Sequence, residues 1–241
     1  MKKFITFIII SGFILDVQCQ KPEETEDWSR RPEVVTPGAG TLPPSDAIVL
    51  YGGAEDLDKW ESESGGPAKW IAGEELTVAP GKGGIMTRQS FGDMQLHIEW
   101  RTPAEVKGDG QGRGNSGIFL MGKYEVQVLD SYNNETYYNG QAGSIYKQSI
   151  PLVNASLPPG QWQKYDIIFK APVFNEDGST QSPPYVTVIH NGVLIQDHVR
   201  ILGTTEFIGP PKTDAHPAKL PLHLQDHGNP VSYRNIWVRP L

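Results

Sequence analysis

The sequence predicts an all-β protein, a jelly-roll sandwich of two antiparallel sheets. Short runs of alternating apolar and polar residues recur along most of the chain. Gly, Pro and Asn punctuate those runs at short intervals, with 26 Gly and 20 Pro in 241 residues. No stretch holds a helical period for as long as a helix of ordinary length.

The chain opens with Lys2 and Lys3, followed by an apolar run over 4–15. That run is shorter than the roughly 20 residues needed to cross a bilayer. A basic start and a short apolar stretch predict a secretory signal peptide over 1–19, with Val17-Gln18-Cys19 as the cleavage region. The alternative makes Cys19 the lipidated first residue of a lipoprotein, although Gln18 is larger than the residue that usually precedes such a cysteine. Either way the protein is expected to be exported, to the periplasm or the cell surface, with no membrane span. Cys19 is the only cysteine, so no internal disulfide can form, and its removal would leave no thiol for catalysis.

Residues 20–45 are polar and proline-rich, with Pro22, Pro32, Pro37, Pro43 and Pro44 and no hydrophobic period. They read as a flexible arm. Residues 46–241 read as one domain, within the usual size range. Within it, Met94, Leu96, Ile98 and Trp100 alternate with Gln95, His97, Glu99 and Arg101, and Tyr124, Val126 and Val128 alternate with Glu125 and Gln127. Further strands are predicted over 84–87, 117–121, 144–147, 162–170, 184–190, 193–199, 220–225 and 233–238. Asn191-Gly192 predicts a two-residue hairpin turn, because these residues tolerate positive φ.

Formal net charge is −7, from 21 Lys and Arg against 28 Asp and Glu. Loss of Lys2, Lys3 and Asp16 with residues 1–19 takes it to −8. An acidic balance of this kind argues against a nucleic-acid partner. The polar faces of the strands are more informative. Glu125 and Gln127 repeat the polar pattern of Glu99 and Arg101 on a second strand. The loop 108–117 is glycine-dense and leads through Asn115 and Ser116 into a strand, and glycines let a backbone approach a ligand closely. Leu224-Gln225-Asp226-His227 brings an amide, an acid and an imidazole to a strand end. A sheet lined with such groups suits sugar hydroxyls, with Trp60, Trp70, Trp100, Trp162 and Tyr132 available for stacking or for the core.

Other chemistries lack their signatures. The glycine loop has no Gly-Lys-Ser/Thr ending, no His-Glu-x-x-His spacing occurs, and Asn115-Ser116-Gly117 lacks the Gly-x-Ser-x-Gly elbow. His97 and His190 lie on strands and read as satisfied side chains, Trp162 reads as packing, 137–141 as a rim loop, and 209–221 as a loop without a motif.

Several segments in one order carry a resemblance: Leu50-Tyr51-Gly52-Gly53, Phe91-Gly92-Asp93, Glu99-Trp100-Arg101, Gly114-Asn115-Ser116-Gly117-Ile118 and Tyr124-Glu125-Val126-Gln127-Val128-Leu129-Asp130-Ser131. His190-Asn191-Gly192-Val193, Leu224-Gln225-Asp226-His227-Gly228 and the closing run from Tyr233 to Leu241 complete it. Over about 46–241 the chain resembles the 3-keto-disaccharide hydrolase family. The resemblance implies a concanavalin A-like lectin/glucanase jelly roll with a concave sugar-binding face, and cleavage of glycosides oxidised to a ketone at C3. Fold alone would not license that activity, because lectins and enzymes share it.

Glucanases that resemble this fold carry Glu-x-Asp-x-Glu along one strand, whereas the matching positions here are Glu125, Gln127 and Leu129. A double displacement needs two carboxyls about 5 Å apart, and this strand does not encode them. A C3 ketone acidifies the C2 hydrogen, so elimination and hydration need only a base, an oxyanion stabiliser and an acid. Glu125 or His227 is expected as the base, with Arg234 or a bound cation stabilising the oxyanion. Glu99, Asn115, Ser116, Gln127 and Gln225 are expected to hold the sugar. Glu99 and Glu125 could instead hold a divalent ion with His227. Arg234 has a structural alternative, pairing with a buried acid. A non-catalytic carbohydrate-binding module using the same face is the main alternative function, and a merely solvated face the weakest.

Overall fold

The computed structural model describes residues 21–40 and 42–241. The segment read as a signal peptide, and Cys19 with it, lies outside the described residues. Two compact units are present, one ending at Val35 and one spanning Thr36–Leu241. In the first, Pro22–Thr25 forms a single 3-10 turn with proline at its start, where its missing N–H costs nothing. No helix among the described residues is long and apolar enough to cross a membrane.

The second unit is an antiparallel β-sandwich. Its strands are β1 (Ile48–Tyr51), β2 (Trp60–Ser62), β3 (Ile71–Ala72), β4 (Leu76–Thr77), β5 (Ile85–Phe91), β6 (Met94–Arg101), β7 (Ser116–Leu120) and β8 (Tyr124–Val128). They continue as β9 (Gln163–Lys170), β10 (Val173–Phe174), β11 (Thr180–Ser182), β12 (Tyr185–His190), β13 (Val193–Arg200), β14 (Leu220–Leu224) and β15 (Ser232–Pro240). One sheet runs β13-β12-β9-β6-β15-β4-β3, with β1 also on β15; the other runs β2-β5-β14-β7-β8. Strands β10 and β11 form a separate pair.

Alternation builds the core. Leu96, Ile98 and Trp100 of β6, Tyr165, Ile167 and Phe169 of β9, and Tyr233, Ile236 and Val238 of β15 face inward from the large sheet. Ile118 and Leu120 of β7, Tyr124, Val126 and Val128 of β8, and Leu222 and Leu224 of β14 meet them from the smaller one. Each such side chain contributes about 1.5–3 kcal/mol on burial. The buried aromatic hydroxyls find partners across the sandwich: Tyr165 donates to the Gln127 carbonyl (2.9 Å) and Tyr233 to Ser116 Oγ (2.7 Å).

The hairpin expected at Asn191-Gly192 forms, with φ of 52° and 82°. The strand expected over 144–147 does not. Ile145 makes only isolated bridges to Val126 and Ser149, and Lys147, at φ 57°, turns the chain. Strand β15 is also irregular. Asn235 adopts φ 46° and inserts an extra residue opposite β6, so Arg234 pairs with Glu99 while Trp237 pairs with His97. Arg234 therefore points outward although Ile236 points into the core.

Candidate active site

The outer face of the smaller sheet is where the chemistry gathers. On β7 and β8 the residues between the core positions are Gly117, Phe119, Glu125 and Gln127. Gly117 stands opposite Gln127, and Phe119 opposite Glu125. Strand β14 adjoins β7, with His223 opposite Phe119 and the Gln225 N–H on the Gly117 carbonyl (3.0 Å). Because Gly117 has no side chain, the face is open between Gln225 and Glu125. There the protein has a cavity of about 220 Å³ lined by Asn115, Phe119, Glu125, Gln127, Tyr146, Thr205, Phe207, Gln225 and His227.

Glu125 is 4% exposed and makes no ion pair among the described residues. Burial pushes its carboxyl up to about 8, since an ionised form there would be poorly solvated. Its backbone N–H is held by Thr205 Oγ1 (3.0 Å). His227 is exposed at the mouth, on a turn that Asp226 fastens. Asp226 accepts from the N–H groups of Lys82 (2.9 Å), Gly83 (3.0 Å) and Gly228 (2.9 Å). The Gln225 side chain makes no hydrogen bond among the described residues, which leaves its amide for a ligand. Asn115 is tied more firmly, donating from Nδ2 to the Gln111 carbonyl (2.7 Å) and from its backbone to Asn229 Oδ1 (3.0 Å).

Three aromatic rings wall the cavity. Tyr146 shares a hydrogen bond of 2.6 Å with Tyr137. Phe119 lies between Glu125 and His223, and Phe207 is 71% exposed on the loop before β14. Lys147 fixes that loop: its ammonium lies 4.2 Å from the Phe207 ring centre and donates to the Phe207 carbonyl (2.6 Å). Phe207 and Thr205 escape a reading by strand period because they sit on the loop before β14, where the apolar Phe207-Ile208 pair is the signal, and Tyr146, inside the strand expected over 144–147, sits on a turn instead.

Other expected site residues lie elsewhere. Ser116 is fully buried on the core side, donating to the Gln225 carbonyl (2.6 Å) and accepting from Tyr233, so it props the site from beneath and does not face a sugar. Glu99 and Arg234 lie on the outer face of the large sheet, across the core from Glu125. Arg234 Nε contacts Glu99 Oε2 at 2.7 Å, and its guanidinium lies 4.1 Å from the Trp162 ring centre. Engaged there, Arg234 cannot stabilise an oxyanion beside Glu125.

The cluster around Glu99 is ionic. His97 Nδ1 meets Asp166 Oδ1 at 2.7 Å, its Nε2 lies 3.7 Å from Glu99 Oε1, and Asn235 Nδ2 donates to the same oxygen (3.3 Å). Burial opposes charge on both residues, but their partners prevail: His97 rises to about 9 through Asp166 and Glu99, and Glu99 falls to about 2 through His97, Arg234 and Asn235. The cation site expected from Glu99, Glu125 and His227 is therefore not assembled. Among the described residues no three His, Cys, Asp or Glu side chains are grouped to hold a metal ion.

A second cavity of about 370 Å³ lies along the glycine loop, between Gly108–Gly114 and Gly228–Pro230. Arg113 and Asp130 pair on its wall at 2.7 Å, and Asn229 links that wall to Asn115. Gly114, at φ 58°, is needed there, since a Cβ would meet Thr102 Cβ at 2.8 Å.

Among solved structures, the chain is similar to a candidate glycosyl hydrolase from Parabacteroides distasonis ATCC 8503, with 54% identity, TM-score 0.88, and coverage of 92% of this chain and 97% of that one. Two further candidate glycosyl hydrolases from the same strain, each 18% identical, share the fold. Their TM-scores are 0.57 and 0.51; each match covers 81% of this chain, and 94% and 99% of theirs. No curated protein matches the chain. Residues 46–239 match the 3-keto-alpha-glucoside-1,2-lyase-like domain, and the chain belongs to that carbohydrate-active family.

Proposed function

We propose that the protein is an exported enzyme that cleaves glycosides carrying a ketone at C3, by elimination across C1 and C2 followed by addition of water. The observation that carries this reading is one carboxyl and one imidazole at one cavity. Among the described residues lining it, Glu125 is the only carboxyl and His227 the only histidine. Direct displacement at an acetal carbon generally uses two carboxyls. Elimination needs one base and one acid once a neighbouring ketone has acidified C2.

Burial keeps a proton on Glu125 below about pH 8, which suits it to the acid role and leaves the base role to His227. His227 takes the C2 proton, and the C–H electron pair forms an enolate on the C3 oxygen. The enolate pair then makes the C1–C2 double bond, the C1–O bond breaks, and Glu125 protonates the departing oxygen. Water adds in reverse: Glu125 regains a proton as hydroxide bonds to C1, and His227 returns one to C2. The unengaged Gln225 amide is suited to the enolate oxygen, and Asn115 and Gln127 to the hydroxyls. Release before water adds would make the net reaction that of a lyase.

The test is a panel of disaccharides and simple glycosides beside their 3-keto forms. Aglycone release from the keto forms alone supports the reading; comparable cleavage of the unoxidised sugars overturns it. A sugar-binding module without catalysis is the second reading, favoured by exposed Phe207. It expects sugar affinity to survive Glu125→Gln and no keto form to be turned over. Export rests on Lys2, Lys3 and the apolar run 4–15. Mass spectrometry of the natural protein's N-terminus separates cleavage from lipid at Cys19, and an intact Met1 contradicts both.

A further inference from the structure

We propose that Thr205, on the loop between β13 and β14, is a sugar-binding residue of the Glu125 cavity, donating its side-chain proton to a hydroxyl oxygen of the bound sugar. Strand β8 lies at the edge of the smaller sheet, so its outward N–H and C=O groups need partners from outside that sheet. The segment after β8 supplies most of them. The Gln127 N–H donates to the Ser144 carbonyl (3.0 Å), the Gly143 N–H to the Gln127 carbonyl (2.9 Å) and the Tyr146 N–H to the Glu125 carbonyl (3.2 Å). The Glu125 N–H is met differently, by the side-chain oxygen of Thr205 (3.0 Å).

A hydroxyl has one proton to give and two lone pairs to accept with. At Thr205 Oγ1 the Glu125 N–H occupies one lone pair, and the proton finds no acceptor among the described residues. A backbone carbonyl in this place would satisfy the Glu125 N–H and leave nothing over. The hydroxyl leaves a donor at the wall of the cavity, on the residue that touches the Glu125 backbone. A sugar hydroxyl is the matching acceptor, since it can take this proton and still give its own elsewhere.

The donor is held still before any sugar arrives. The Thr205 N–H donates to the Lys123 carbonyl (2.8 Å), the Thr204 N–H to the Lys212 carbonyl (2.8 Å), and the Lys147 ammonium to the Phe207 carbonyl (2.6 Å). Thr204 and Glu206 engage each other and Lys212: Thr204 Oγ1 donates to Glu206 Oε1 (3.3 Å), which Lys212 Nζ meets at 3.0 Å. The alternate residues, Thr205 and Phe207, line the cavity. One short segment thus presents a proton donor and an aromatic ring to the same ligand, matching the hydroxyls and the C–H faces of a pyranose. Groups fixed in advance cost little ordering on binding, and two unlike contacts orient the ring as well as hold it.

The inference rests on the sugar-binding part of the reading above and adds a contact to that site. Its test measures binding and not cleavage, so the two can fail separately. Affinities are measured by isothermal titration calorimetry in the Glu125→Gln background, for methyl glucoside, its 3-keto form and the monodeoxy analogues of each. Thr205→Val is expected to weaken binding of the parent sugar about tenfold, and Thr205→Ser to keep it within about twofold. One deoxy analogue is expected to bind about tenfold more weakly than its parent when Thr205 is present, and equally well when it is Thr205→Val. Binding of the unoxidised sugar alone, with this coupling, supports the inference while counting against 3-keto specificity. A Thr205→Val loss of the same size for every analogue would mean that Thr205 acts only through the Glu125 backbone, and overturns the inference. So does unchanged affinity, or no binding of either sugar. If Thr205→Val fails to fold, a crystal structure of the Glu125→Gln complex decides: a sugar hydroxyl within about 3.0 Å of Thr205 Oγ1 supports the inference, and none there overturns it.

Discussion

Gly117 keeps open the space that the Glu125 carboxyl fills: a Cβ at Gly117 would lie 2.6 Å from Glu125 Oε1 and 2.8 Å from Phe119 Cε2. The glycine is required by this contact, since its φ is not positive. Gly117→Ala is expected to displace the carboxyl, to lower kcat by on the order of 10², and to leave the sandwich folded. Turnover of a 3-keto-glycoside with circular dichroism on the same sample checks both halves.

Glu125 carries a stability signature opposite to that of a salt-bridged acid. Its folded value, near 8, lies above its ordinary 4.5. The proton it retains therefore favours the fold fully below pH 4.5, and this contribution is lost as pH rises through about 8. Glu125→Gln, which cannot ionise, is expected to be inactive yet more stable than the unaltered protein at pH 9. Melting temperatures of the two proteins between pH 5 and 9 would show the curves diverging on the alkaline side.

The His97–Glu99–Arg234 cluster is expected to stabilise the large sheet without touching the reaction. Glu99→Gln removes a carboxylate that is 0% exposed and faces His97, Arg234 and Lys164, at a cost on the order of 3 kcal/mol. Glu99 contributes above pH 4.5 and loses that contribution as pH falls through about 2; His97 contributes below 6.5 and loses it as pH rises through about 9. Denaturant unfolding of Glu99→Gln checks the cost. Arg234→Gln, while folded, should keep kcat within about twofold; a loss near that of Glu125→Gln would restore the catalytic role the sequence suggested.

Phe207 offers its exposed ring to a sugar, as aromatic faces do for apolar C–H surfaces. Phe207→Ala is expected to raise KM about tenfold with kcat little changed, and Phe207→Tyr to restore it. Initial rates over a range of substrate concentrations would read this directly.

Strand period makes much of this architecture legible. β6 keeps unbroken alternation for its whole length, and its ends fall where the pattern stops. The two-residue strands β3 and β4 are too short to show a period, and 144–147 has the composition of a strand but turns at Lys147. The site shows the same limit. Alternation tells core side from outer side, so Glu125, Gln127 and Gln225 emerge together on an outer face. It does not tell which of two sheets a strand joins, and a sandwich has two outer faces. Glu99 looks equivalent to Glu125 by period, yet it lies across the core, whereas a regular period would set Arg234 on the inward face of Ile236 and Val238, so the extra residue at Asn235 hides its outward turn.

The central claim is that His227 removes the C2 proton and Glu125 protonates the leaving group. Deuterium uptake at C2 of a 3-keto-glycoside in D₂O separates these steps. Glu125→Gln is expected to keep exchanging C2 hydrogen while losing cleavage of sugar leaving groups, and His227→Ala to lose both. Exchange that survives in His227→Ala but vanishes in Glu125→Gln would contradict the assignment.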